Sequence, residues 1–231
     1  MISINGLYKN FGNVKALEDI NIEIKEGQII GLLGPNGSGK TTLLKILAGL
    51  YKEYDGEVII NGHSPSGLTK SITSYLPDKS VFPKKYSVEK ISKIYKNYYN
   101  DFEKNDFDDM LKAFDIKEDE IINEMSKGKV DKLNIALALA RRANIYLLDE
   151  PIGGVDVKAR EIVLNKIIEK LRPEATIIVV THLINDIEKI FDSVIMLDKG
   201  EIVYYDNCDK LRLEYGKSLE NIIRECYYEN N

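Results

Sequence analysis

The residues best suited to chemistry are Gly34, Pro35, Asn36, Gly37, Ser38, Gly39, Lys40, Thr41 and Thr42. They fit the spacing G-x-x-x-x-G-K-[ST] of a phosphate-binding loop. Glycines let the loop curl so that successive backbone N–H groups face phosphate oxygens, and a following helix adds the positive end of its dipole. Lys40 is a point charge for the β- and γ-phosphates. The Thr41 hydroxyl suits Mg²⁺, a hard ion that takes oxygen ligands. The chemistry indicated is nucleoside triphosphate binding with Mg²⁺.

A second group lies downstream. Ile145 to Leu148 is an apolar run ending in Asp149-Glu150. A buried strand that ends in acids carries them to the sheet edge where open α/β folds bind ligands. Asp149 is the candidate to hold Mg²⁺ through water, and Glu150 the candidate to polarise an attacking water. His182 follows a third apolar run, Ile177 to Val180, and Thr181. It is placed to contact the γ-phosphate. His63, beside the Asn61-Gly62 turn, reads as a surface loop residue.

The elements that must position these residues follow from periodicity. Ile2 and Ile4, then Ile20, Ile22 and Ile24, alternate with polar residues as half-buried strands. Ile29 to Leu33 is almost wholly apolar, as a strand buried on both faces requires. Thr41 to Leu50 reads as a helix with Leu43, Leu44 and Leu47 on its apolar face. Val58 to Ile60 enters a tight turn. From Ser87, a candidate N-cap, Val88, Ile91, Tyr95 and Tyr98 recur at helical spacing. Phe107, Met110, Leu111 and Phe114 form a second such stripe. Residues 80–140 are therefore expected to be a mostly helical subdomain inserted in an α/β core. A helix is expected over Val157–Leu171, a hairpin around Lys199-Gly200, and short helices from 207 to 231.

Composition sets outer bounds. The chain has 231 residues, 44% hydrophobic and 30% charged, with a net charge of −5. One large α/β domain with a real core is expected, and a strongly basic nucleic-acid binder is not. Two cysteines, Cys208 and Cys226, give no disulfide framework and too few ligands for zinc. MISINGLYKNFG lacks the zones of a signal peptide, and no apolar run approaches the ~20 residues that span a bilayer. A cytoplasmic protein, held at a membrane only by a partner, is expected.

Together these motifs resemble the nucleotide-binding subunit of ABC transporters, over nearly the whole chain. Gly34–Thr42 matches its Walker A loop and Ile145–Glu150 its Walker B strand with the catalytic glutamate. His182 resembles the switch histidine. Gly153-Gly154-Val155-Asp156 resembles the D-loop, which ends in Asp156. Phe11, before Gly12, matches the aromatic that stacks on adenine, with Tyr8 the nearby competitor. Met125-Ser126-Lys127-Gly128-Lys129 matches the signature element, where family members carry Leu-Ser-Gly-Gly-Gln. The kept residues, Ser126 and Gly128, would touch the γ-phosphate held by the opposite subunit. Asp78 stands where the family has the Q-loop glutamine. It can approach Mg²⁺ but cannot donate a hydrogen bond as an amide does.

The resemblance implies a RecA-like P-loop core with a mixed sheet, an N-terminal antiparallel β subdomain and the helical insertion, all within one ATPase domain over 1–231. It implies an ATPase that uses ATP and Mg²⁺ and dimerises, with itself or with a second ATPase, around two ATP molecules. It further implies a transmembrane permease on a separate chain as partner, no nucleic acid, and a place at the inner face of the cell membrane. Residues 78–100 are the expected permease contact, with Val81, Phe82 and Pro83 as an apolar knob and Lys84, Lys85 and Lys90 as a basic rim. Leu-Pro-Asp, Met-Ser-Lys-Gly and Glu-Pro-Ile-Gly-Gly-Val-Asp resemble a bacterial subgroup linked to GntR-type regulators and to export permeases for drugs, peptides or lipid-like compounds. The alternative is a soluble ABC-type ATPase without a permease.

Overall fold

The computed structural model describes residues 1–80 and 82–225. In chain order the elements are β1 (Ile2–Phe11), β2 (Val14–Ile24), β3 (Gln28–Leu33), α1 (Lys40–Leu47), β4 (Asp55–Ile60), α2 (Gly67–Ser71), β5 (Thr73–Leu76), α3 (Val88–Tyr98), α4 (Lys104–Ala113), α5 (Lys127–Leu139), β6 (Ile145–Asp149), α6 (Val157–Lys170), β7 (Thr176–Val180), α7 (Ile184–Ile187), β8 (Ser193–Asp198), β9 (Glu201–Asn207), α8 (Cys208–Tyr215) and α9 (Leu219–Arg224). They form two sheets. One is antiparallel, in the order β2-β1-β4. The other is mixed, in the order β5-β6-β7-β3-β8-β9, parallel as far as β8 with β9 antiparallel at its edge.

The two-residue period of the central strands divides the core into two layers. Ile29, Leu33, Tyr146, Leu148, Ile177, Val179, Val194 and Met196 face one way, packing with α4, α5 and α6. Ile30, Leu32, Ile145, Leu147, Ile178, Val180 and Ile195 face the other, against α1 and the apolar side of the antiparallel sheet. Strands β3, β6 and β7 are covered on both faces, which is why their sequences read as unbroken apolar runs.

The starts of α3, α5 and α6 are set by side-chain caps. Ser87 accepts from the Lys90 N–H at 3.2 Å, Ser126 from Lys129 at 3.3 Å, and Asp156 from Ala159 at 3.0 Å. The expectation of a helix reaching Leu50 is corrected: α1 stops at Leu47, because Gly49 takes φ +66° and turns the chain out. The expected hairpin at Lys199-Gly200 is present between β8 and β9. Cys208 is buried at the start of α8, and burial lifts its thiol to about 12, so it stays protonated. Cys226 and Val81 lie outside the described residues.

Arg141, directly after α5, is the largest fully buried side chain, at 2% exposure. Its guanidinium forks onto both oxygens of Asp101 at 2.9 Å and donates to the backbone carbonyls of Ser71 and Thr73. The Tyr99 ring lies 3.8 Å from it. One cation thus joins the segment after α3 to the β5 edge of the central sheet.

Candidate active site

Strand register brings the predicted groups to one edge. Leu32 of β3 pairs with Val180 of β7, and Val180 pairs with Asp149 of β6. The loop from Gly34, the acids Asp149-Glu150 and the Thr181-His182 turn therefore all leave the carboxyl ends of adjacent strands. This is the ligand-binding edge of an open α/β sheet. Gly39 joins the loop to α1 with φ +106°, and a Cβ there would sit 2.5 Å from the Ala16 carbonyl oxygen. Only glycine lets β2 pass this close to the loop.

Lys40 is 6% exposed, and its ammonium donates to the Gly34 and Pro35 carbonyls, each at 2.8 Å. Burial pulls its pKa down, while the charges of Glu150 and Asp149 push it back up. The Thr41 hydroxyl donates to Asp149 Oδ2 at 2.9 Å. Asp149 is 2% exposed, and burial raises its pKa against the opposing Thr41 hydrogen bond.

Glu150 has the unusual backbone of the site. Its φ is +56°, a left-handed conformation that costs a non-glycine residue roughly 1–3 kcal/mol. The Glu150 N–H donates to the Val180 carbonyl at 2.8 Å, which fixes this turn. Glu150 Oε2 accepts from the His182 N–H at 3.4 Å, and Oε1 lies 3.5 Å from His182 Nε2. Oε1 is nevertheless buried without a hydrogen-bond donor. Burial raises the Glu150 pKa, and His182 gives the largest opposing effect. A strained, desolvated carboxylate with a free oxygen at a strand end is equipped to take a hydrogen bond from water.

The donors also fit Mg²⁺. Thr41 and Asp149 present adjacent oxygens in a desolvated pocket, and Asp149 has a hydroxyl rather than a cation as its direct partner. Among the described residues, no group of three or more His, Cys, Asp or Glu could cage a metal. Such an ion would depend on phosphate oxygens and water, as Mg²⁺ commonly does.

A cavity of about 350 Å³ is lined by Asn36, Gly37, Gly39, Lys40, Thr41, Thr42, Asp78, Asp149, Glu150, Val180 and His182. Most of the predicted site residues therefore meet there. Val14, Lys15 and Ala16 complete this lining, although no motif in the sequence marks them. Their one signal is the hairpin, since Val14 pairs directly with Phe11. Phe11 is not part of this lining; it is 44% exposed, and its strand partner Val14 borders the cavity. Gly34 and Pro35 face a separate cleft with Thr181, His182 and α9. Ser38 is buried, its hydroxyl without a partner.

Ser126 and Gly128 lie outside the phosphate-loop cavity, at the N-terminus of α5. Lys127, next to them, borders a cleft shared with Asp78, Asp131, Asp149 and Glu150. Lys129 ties α5 to the segment before it, because its ammonium meets both oxygens of Glu120, at 2.8 and 2.9 Å. Asp156 caps α6 and pairs with Lys132 at 2.5 Å, tying the start of α6 to α5.

A family model for the ABC transporter matches residues 17–153, more than half of the chain. The chain belongs to the ABC transporter ATP-binding family. It is 34% identical to an uncharacterized ABC transporter ATP-binding protein of Methanocaldococcus jannaschii, over 99% of this chain and 87% of that one. Its fold matches the structure of an ATP-binding subunit of an ABC transporter with a TM-score of 0.88 at 24% identity, covering 97% and 98% of the two chains. It also matches the dimeric post-hydrolysis cassette MJ0796 bound to ADP and Pi, with a TM-score of 0.77 at 25% identity, over 90% and 98%. The protein is an ATPase subunit that uses ATP and Mg²⁺. Among the described residues no helix is long and apolar enough to cross a membrane.

Proposed function

We propose that two ATPase subunits, at least one of them this chain, close head to tail around two ATP molecules and drive a separate transmembrane permease. The observation that carries this reading is the position of Ser126 and Gly128. They sit at the N-terminus of a 13-residue helix, outside the cavity that holds their own phosphate loop. A hydroxyl, backbone N–H groups and a helix dipole suit a γ-phosphate, and a facing subunit supplies one.

In this reading Gly34–Thr42 cradle the phosphates of one ATP, Phe11 takes the adenine, and Ser126 and Gly128 of the facing copy close over the γ-phosphate. Closure excludes water and completes the site only when that phosphate is present. Lys40 and His182 offset charge on the transferred phosphoryl group, and Glu150 orients the attacking water and draws on its proton. Bound Mg²⁺ would be held by Thr41 and Asp149, with Asp78 nearby, and would neutralise phosphate charge. Asp156, fixed to Lys132, holds the D-loop against α5. Loss of the γ-phosphate removes the bridge and the pair opens.

The helical segment 80–140 carries Ser126 and also borders a cavity of about 650 Å³, whose lining includes Lys45, Lys70, Asp78, Phe82, Tyr95, Tyr99 and Arg141. Basic and aromatic groups around an apolar floor suit a permease loop, which extends the contact expected at 78–100. That docking would hold the protein at the inner face of the cell membrane. The Leu-Pro-Asp, Met-Ser-Lys-Gly and Glu-Pro-Ile-Gly-Gly-Val-Asp motifs favour an exporter of drug, peptide or lipid-like substrate, in the GntR-linked subgroup.

Ser126→Arg tests the arrangement. ATP affinity of the single subunit, measured by calorimetry, stays within about twofold, while hydrolysis falls by more than about tenfold. Unchanged hydrolysis in this variant contradicts the head-to-tail site.

A further inference from the structure

Lys9 occupies a position where strand alternation calls for an apolar side chain. Leu7 and Lys9 point inward from β1 while Tyr8 and Asn10 face out, and Lys9 is only 8% exposed. A buried ammonium costs free energy unless it is compensated. Among the described residues no carboxylate forms an ion pair with it. The Lys9 ammonium instead donates to the Glu53 carbonyl. It also lies 4.9 Å from the centroid of the Phe11 ring and 5.9 Å from that of Tyr51. A methionine or leucine would fill this space without desolvating a charge. What the cation adds is orientation, because it is attracted to ring faces and to one carbonyl at once.

Tyr51 completes the cluster. Its ring meets Phe11 edge-on, with centroids 5.4 Å apart and an interplanar angle of 69°. That tilt satisfies the ring quadrupoles. Tyr51 belongs to the chain leaving α1: its N–H donates to the Lys45 carbonyl at 3.3 Å, and the Lys45 ammonium lies 5.6 Å from its ring. The helix α1 begins with Lys40 and Thr41. Phe11 pairs with Val14, which borders the phosphate-loop cavity. One cluster therefore bridges the tip of the β1–β2 hairpin and the helix behind the phosphates.

We propose that Lys9 and Tyr51 are positioning residues for nucleotide binding. They hold the Phe11 ring at a fixed tilt and distance from the phosphate loop, so that its exposed surface receives the purine while the loop holds the phosphates. This rests on Phe11 as the adenine platform. A free Phe11 ring at a hairpin tip would lose rotamer freedom on each binding event. The cluster removes that cost beforehand, which is preorganisation.

The experiment uses the full chain and two probes, Mg-ATP and Mg-tripolyphosphate, which keeps the phosphates and lacks the base. Phe11→Ala and Lys9→Met each weaken Mg-ATP binding about fivefold or more. Tripolyphosphate affinity stays within about twofold, and Lys9→Arg recovers most of the ATP affinity. Tyr51→Leu gives the same selective loss and serves if Lys9→Met fails to fold by circular dichroism. Unchanged ATP affinity in Phe11→Ala overturns the platform itself. Loss in Phe11→Ala, with Lys9→Met and Tyr51→Leu both unchanged, overturns the positioning role and leaves the platform standing. An equal loss for both probes marks a general structural defect and also overturns it.

Discussion

Glu150→Gln lowers ATP turnover by about 10²–10⁴-fold while ATP binding stays within a factor of about two. The amide is nearly the same size as the carboxylate, so the left-handed turn and its bond to Val180 can persist. What disappears is the acceptor charge at an oxygen that has no protein donor. Lys40 and the phosphate loop are untouched, which is why binding survives. Steady-state phosphate release and nucleotide titration on one preparation separate the two effects. Normal turnover in this variant removes Glu150 from the chemistry. A parallel loss of binding indicates instead that the carboxylate supports the loop.

The second large effect concerns stability. Arg141→Met destabilises the protein by about 3 kcal/mol and lowers its thermal midpoint by roughly 6–12 °C. Methionine fills much of the volume but leaves the Asp101 carboxylate and the Ser71 and Thr73 carbonyls without their donors. Asp101 is 24% exposed, so the cost falls chiefly on the buried Thr73 carbonyl and the other acceptors that lose a charged donor. Lys93→Ala is the matched control: its ion pair with Glu89 is 67% and 52% exposed and screened by solvent. Its midpoint moves by about one degree or less. Equal midpoints for the two variants contradict the view of Arg141 as the joint between the α3–α4 segment and the sheet.

The site was legible in sequence where one strand delivers one group. An apolar run followed by glycines, by Asp149-Glu150 or by Thr181-His182 announces both the strand and the side chains at its end. That these ends are neighbours depends on the order β6-β7-β3, which pairs strands far apart in the chain and leaves no local signal. Pro151 and Gly153-Gly154 announce a turn after the strand, but nothing in the sequence says that Glu150 itself takes the left-handed backbone, because that conformation is uncommon for a non-glycine residue. Lys9 was hidden because β1 shifts register between Ile4 and Leu7 and again between Leu7 and Lys9, which blurs the two-residue period. No local pattern in the sequence marks Arg141, and only the tertiary fold shows its four acceptors. Lys129 stood out as a departure from the signature, and its bond to Glu120 gives it a place in the packing of α5.

The most direct measurement is the solution mass of Glu150→Gln by light scattering, with Mg-ATP and then with Mg-ADP. A mass twice that of the single chain with ATP, and a single-chain mass with ADP, is the result predicted if Met125–Lys129 closes over a partner's γ-phosphate in a homodimer. A single-chain mass in both nucleotides, with ATP binding confirmed by titration, contradicts a self-sufficient homodimer. It transfers the closing contact to a second ATPase or to the permease.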